Sequence, residues 1–278
     1  MRHAVLMSLV VACSSSSSTP VKPTPTKPTA DPASTGPLTE AQFKALHELP
    51  PESAPAPKGE MIDVAGGKHY LSLPAGPGPH PGIIVIHEFW GLNGHMKHWA
   101  DRLAGAGYAA LALDLYKGTV AADRDAAMAA VKAVVPAEAM ATIRGSLDFI
   151  TNDARIKAPV QAVIGWCFGG AWSLQAAIAQ ADVDAAIIYY GRLETDPAKL
   201  GTIKAHVLGV FGNRDPGIPA AEVDKFEAAL KQAGVKHTIH RYDADHAFAN
   251  PSNVAKYDEK NASDAWAKVL AFLDELRR

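Results

Sequence analysis

The sequence predicts an α/β fold, a mostly parallel sheet of about eight strands with helices on both faces. Three observations carry that expectation. The runs IIVIH, YAALALD, VQAVIG, DAAIIYYG and HVLGVFG are almost continuously apolar and rich in β-branched residues, the pattern of strands buried on both faces. Amphipathic stretches of helical period separate them, as βαβ units require. Once the N-terminal segments are set aside, about 220 residues remain, enough for one domain with a substantial core.

Taken in order, residues 1–12 read as a signal peptide of the lipoprotein type. Met1-Arg2-His3 is basic, and Ala4 to Ala12 is apolar but too short to span a bilayer. Val10-Val11-Ala12 places a small residue before Cys13, which is expected to be cleaved at and lipidated. Ser14 to Pro37 is almost wholly Ser, Thr, Pro, Lys and Ala, a tether that cannot bury a core and that reaches roughly 70 Å at ~3 Å per residue. The resemblance to bacterial lipoproteins implies, with Ser14 rather than Asp after the cysteine, sorting to the outer membrane, facing the periplasm or the cell surface. Thr39 to Gln42 forms a capping box that opens a short helix to about Leu49, stopped by Pro50-Pro51. Residues 13–58 are thus the lipid-bearing cysteine, the tether and this helix, and 59–278 the folded domain.

Within the domain, MIDVAGG and KHYLSLP read as a hairpin, and the five apolar runs plus KHTIHRYD bring the strands to about eight. Helices are expected over Lys97 to Gly105, Asp123 to Val134, Ala137 to Thr151, Gly170 to Gln180, Ala220 to Ala233 and Asn253 to Leu276. The formal net charge is −2, with no cluster of Lys or Arg, which argues against a nucleic-acid surface. No later apolar stretch is long enough to cross a membrane.

Chemistry concentrates at the C-terminal ends of the strands, where open α/β sheets bind ligands. Gly165-Trp166-Cys167-Phe168-Gly169-Gly170 follows one strand and opens a helix, the context of a nucleophile elbow with a thiol at its tip. Asp215 follows the strand HVLGVFG and His246 the strand KHTIHRY. Nucleophile, acid and histidine in that chain order match the α/β-hydrolase arrangement. His246 is then the base that accepts the thiol proton, and Asp215 its orienting partner. The helix N-terminus at Phe168 offers a backbone N–H to a developing oxyanion, and Phe89, after IIVIHE, offers the second. Glu88 sets a carboxylate beside the thiol and favours its protonated form, whereas His87 reads as a packing or supporting residue.

These motifs, together with ALALDLYKG, AAIIYYGR, VLGVFGNRDPGIP and DADHAFANPS, resemble the dienelactone hydrolase family, cysteine hydrolases of the α/β-hydrolase fold, from about Glu60 to the C-terminus. The resemblance implies Cys167, Asp215 and His246 as the triad, Glu88 as the partner of the resting thiol, Phe89 and Phe168 as oxyanion donors, and an acyl-enzyme intermediate. It also marks a departure: where the founding enzymes hold the substrate carboxylate with arginines, this chain has Asn250 four residues after His246, and Lys117-Gly118 after the D-L-Y segment.

Trp90, Trp166, Tyr190, Lys117, Phe248 and Asn250 are the candidate pocket residues, with the aromatics suiting a flat or lipophilic acyl group. The expected partners are a small-molecule ester or lactone and, through Cys13, a membrane; no cofactor is implied, and a monomer is expected. His95-x-x-His98 with Asp101 shares a helix face but lacks a further ligand set and is not read as a metal site. Two rival readings are a carboxylesterase or thioesterase of different substrate range, and a non-catalytic binding lipoprotein on a hydrolase scaffold. Cys167 is the sole thiol left once Cys13 is acylated, which favours a working role in an oxidising compartment.

Overall fold

A computed structural model describes residues 37–48, 55–179 and 182–277. Eight strands form one sheet: β1 (Glu60–Val64), β2 (Gly67–Ser72), β3 (Gly82–Ile86), β4 (Ala109–Leu113), β5 (Gln161–Trp166), β6 (Ala185–Tyr189), β7 (His206–Gly212) and β8 (His237–Tyr242). Their order across the sheet is β1-β2-β4-β3-β5-β6-β7-β8. The β1–β2 hairpin joins β4 antiparallel, and every pairing from β4 to β8 is parallel. This is the α/β-hydrolase fold expected, with every residue of β3, β4 and β6 buried.

Among the described residues eight helices accompany the sheet: α1 (Glu40–Glu48), α2 (Gly94–Gly105), α3 (Arg124–Ala133), α4 (Pro136–Asn152), α5 (Phe168–Ala179), α6 (Pro197–Leu200), α7 (Ala220–Gln232) and α8 (Glu259–Leu276). Apolar side chains gather into two cores, one on each face: Trp99, Trp166, Tyr189 and Trp266 centre the first, and Leu111, Ile143, Leu174 and Phe226 belong to the second. Three helix starts differ from the sequence reading. Asn93 caps α2 by accepting from Met96 N–H at 3.2 Å, so the helix begins three residues before Lys97. The α5 helix begins at Phe168, directly after the elbow. Residues 250–258 form turns rather than helix, and Asp258 caps α8. The one-turn α6 carries no apolar period and was not expected. Among the described residues no single helix is long and apolar enough to cross a membrane; α3 and α4 pass such a test only together, as a pair bent by 83°. Cys13 and most of the tether lie outside the described residues.

The α1 helix lies over the first core. Its Phe43 is fully buried against Trp99, with ring centroids 4.4 Å apart, a burial that contributes about 2 kcal/mol. Glu40 pairs with the buried Arg102 at 2.9 Å, and the Arg102 guanidinium lies over Phe43, Trp99 and Trp266. A hydrogen-bond chain completes the join: Trp99 Nε1–H donates to His95 Nε2 at 3.2 Å, His95 Nδ1–H to His47 Nε2 at 2.8 Å, and His47 Nδ1–H to the Phe43 carbonyl at 2.8 Å. The carbonyl and indole ends fix both tautomers. His98 packs edge-on against His47, ring centroids 5.3 Å apart.

Every ring nitrogen of His47 and His95 is therefore committed while neutral, and burial pushes His47 down to about 4 and His95 and His98 downward as well. The nearby carboxylates are occupied: Glu40 by Arg102 and Tyr257, Asp101 by Tyr70 and Ser72, Glu259 by Lys44. A released α1 regains histidines that bind protons at about pH 6.5, so release gains tenfold per pH unit for each histidine that charges as pH falls below that value. Hydrogen exchange should show the amides of 40–48 losing protection in acid before those of β5–β7; equal protection of both at pH 4.5 contradicts this.

Candidate active site

The elbow is built by backbone geometry. Cys167 sits at φ +52 immediately after β5, its N–H bonded to the Tyr189 carbonyl at 3.0 Å and its carbonyl accepting from Ala171 N–H at 3.2 Å. A left-handed non-glycine residue is strained, and its neighbours leave no room for relaxation. A Cβ on Gly165 would stand 2.1 Å from the Gly169 carbonyl oxygen, and one on Gly169 would stand 2.1 Å from that of Ile86. Only glycine lets α5 approach β3 and β5 this closely, and the thiol is thereby presented above the sheet, partly accessible.

Asp215 and His246 arrive from the ends of β7 and β8. Asp215 is buried; its Oδ2 accepts from His246 Nδ1 at 2.6 Å, and its Oδ1 from the N–H groups of Gly217 and Ile218 at 2.8 and 3.2 Å. Burial alone would raise the Asp215 carboxyl, but the His246 hydrogen bond and these two amides outweigh it and hold the group below its ordinary value. For His246, burial opposes the charged ring, yet Asp215 on one side and the Cys167 sulfur, as thiolate, on the other lift it to about 10, the value for the state in which the proton has passed from sulfur to ring. The structure thus brings together the three residues expected to act together.

Glu88, also expected, lies in the same cluster, but with different partners. Its Oε1 accepts from Tyr190 O–H at 3.3 Å, and its Oε2 accepts from Asn250 Nδ2. Burial pushes Glu88 up to about 7 against the opposing pull of Asn250, His246 and Tyr190. Asn250 is itself fixed, because its Oδ1 accepts from Ser252 N–H at 2.8 Å. It therefore faces the carboxylate of Glu88 and not an open pocket. Tyr190, at φ +36 and fully buried, packs with its ring 5.1 Å from that of His246, tilted by 57°.

Five pocket expectations need correction. Trp166, the last residue of β5, turns into the first core, 4.6 Å from Trp99 and 5.3 Å from Tyr189. Phe248 is fully buried between Tyr190 and Tyr242. Lys117 is exposed, pairs with Glu138 at 2.7 Å, and rims a cavity of about 760 Å³ that none of Cys167, Asp215, His246 and Glu88 lines. Asn250 is the fourth, for the reason just given, and Tyr190 the fifth, since it is fully buried with its hydroxyl spent on Glu88. Trp90 is partly exposed and packs edge-on against Phe89, 5.3 Å away. Sequence reasoning passed over Tyr116, which packs 4.4 Å from His87 and 5.2 Å from Phe168; its place in the D-L-Y segment was the one available signal.

Comparison with known proteins bears on the family and the fold. Residues 68–276 match the family model described as the dienelactone hydrolase family. The chain belongs to the dienelactone hydrolase family. It is accordingly a hydrolase acting on ester or lactone bonds. Among dienelactone hydrolase relatives, a protein of Methylorubrum extorquens provisionally named carboxymethylenebutenolidase is 30% identical over 215 residues, 72% of this chain and 74% of its own length. The protein usf of Aquifex pyrophilus is 30% identical over 78% of this chain and 98% of its own. The crystal structure of a dienelactone hydrolase-like promiscuous phosphotriesterase, P91, from metagenomic libraries superposes with a TM-score of 0.72 at 25% identity, covering 79% of this chain and 98% of that one.

Proposed function

We propose that this dienelactone hydrolase works through a Cys167-His246-Asp215 triad and a covalent acyl-enzyme. The observation that carries the reading is the strained elbow that sets the Cys167 thiol against the His246 ring, itself oriented by Asp215 at 2.6 Å. The thiol passes its proton to His246 Nε2, and the thiolate sulfur attacks the acyl carbon, forming a C–S bond. The oxyanion takes hydrogen bonds from the N–H groups of Phe89 and Phe168. The imidazolium, favoured by Asp215, returns its proton to the leaving alkoxide as the C–O bond breaks. A water molecule, deprotonated by His246, then hydrolyses the thioester and releases the acid.

The test is a panel of lactones, aryl esters and thioesters given to wild type and to Cys167→Ala. Phosphotriesters belong in it because of the P91 neighbour. Hydrolysis of esters that survives loss of the thiol contradicts the triad. Turnover of thioesters alone favours the thioesterase alternative, and none at all favours a binding scaffold.

Glu88 is read as the restraint on the resting thiol; its carboxylate is also hydrogen-bonded by Asn250 and Tyr190. Glu88→Gln removes a charge that opposes thiolate formation, so Cys167 should be alkylated several-fold faster at pH 7.5 without substrate. Unchanged or slower alkylation removes that role. The membrane anchor is likewise proposed from the sequence: Cys13 carries the lipid, and Cys13→Ala should leave the membrane fraction on cell fractionation.

A further inference from the structure

We propose that His87 is a positioning residue for the oxyanion hole, its ring holding the Glu88–Phe89 peptide so that the Phe89 N–H is aimed at the reacting carbonyl. The inference rests on the cysteine-hydrolase reading given above. His87 follows the last residue of β3 and is fully buried. Leu115 N–H donates to its Nε2 at 3.2 Å, which leaves the hydrogen on Nδ1. That Nδ1–H donates to the carbonyl of Glu88 at 2.6 Å. The same carbonyl accepts a longer bond from Gly91 N–H, 3.3 Å.

A trans peptide is planar, with its carbonyl and its N–H pointing in opposite directions. Clamping the Glu88 carbonyl therefore fixes the direction of the Phe89 N–H on the far side of the same unit. Among the described residues that N–H has no hydrogen-bond acceptor, and a buried or half-buried donor left open at a catalytic edge is available to an incoming oxyanion. The ring reaches the second donor as well. It stacks on Phe168, centroids 5.4 Å apart and planes 12° from parallel, and Tyr116 closes its edge at 4.4 Å. Burial pushes His87 down to about 4, so the ring stays neutral and the Nδ1–H persists as one fixed tautomer across the working pH range. A filler of this volume needs no nitrogens. Here both are spent on backbone groups of the two loops that frame the thiol.

The test compares His87→Leu, which removes the donor, with His87→Asn, which keeps an N–H near the Nδ1 position, in the full chain. With an aryl ester, His87→Leu should lower kcat by about 10- to 100-fold with KM within about twofold, and His87→Asn should recover part of the loss. Alkylation of Cys167 by iodoacetamide develops no oxyanion and should stay within about twofold of wild type in both. Alkylation that falls in step with kcat, or an Asn variant no better than Leu, overturns the proposal. Should the variants fold poorly, ring nitrogen shifts in the wild type decide: hydrogen on Nδ1 at pH 7 supports the proposal, and hydrogen on Nε2 overturns it. If alkylating wild-type Cys167 leaves hydrolysis intact, the cysteine reading itself has failed, which these measurements separate from a failure at His87.

Discussion

Cys167→Ala should abolish ester hydrolysis, lowering kcat by about 10³-fold or more while the protein still folds. Alanine removes the sulfur that forms the C–S bond and leaves the rest of the site in place, since the elbow depends on Gly165 and Gly169 and on the Cys167 N–H bond to Tyr189. Residual rate over water would come from the oxyanion donors. Cys167→Ser should retain the fold and remain far weaker than wild type, because a hydroxyl needs more help from the base than a thiol does. The check is kcat on the best ester of the panel, with the melting temperature as the control for folding. Wild-type turnover by Cys167→Ala, or full activity after complete alkylation of Cys167, removes the thiol from the mechanism.

Asp215→Asn should cost about 10²- to 10⁴-fold in kcat and shift the pH profile. In the wild type His246 is held up to about 10, so activity that needs the imidazolium persists to alkaline pH and falls as pH rises through about 10. A neutral amide withdraws the main support for that charge, and the alkaline limb should move toward the ordinary histidine range near 6.5. Stability should follow the same sign. The raised His246 contributes stability fully below about pH 6.5 and loses it as pH rises through about 10. The lowered Asp215 contributes above about 3.8 and loses it as pH falls further. The penalty of the substitution is therefore greatest between about pH 4 and 6.5. Denaturant melts across pH 4–10 measure it, and a penalty that grows toward pH 10 contradicts the pairing.

The strands were legible because burial on both faces leaves a continuous apolar run, and all eight appeared where such runs or their alternation placed them. The helix starts were less so, because caps decide them: Asn93 and Asp258 act through one or two local hydrogen bonds each that periodicity does not register. Cys167, Asp215 and His246 could be picked out because each ends a strand and their chain order is distinctive. The pocket could not. Trp166 and Phe248 border proposed catalytic positions in sequence, but which way a ring turns depends on strand pleat and on neighbours far along the chain, Trp99 and Tyr242 among them. The pairing of Asn250 with Glu88 spans 162 residues, and no local pattern announces it.

The sheet order also sets when the site becomes competent. Glu88 follows β3, Cys167 follows β5, Asp215 follows β7, and His246 follows β8, the strand at the sheet's far edge. Chain growth and sheet growth run in one direction across that half of the molecule. On the proposed triad, a chain extending only through β6 holds Cys167 with neither Asp215 nor His246 beside it. On the same reading, the site is complete only with the segment that follows the last strand.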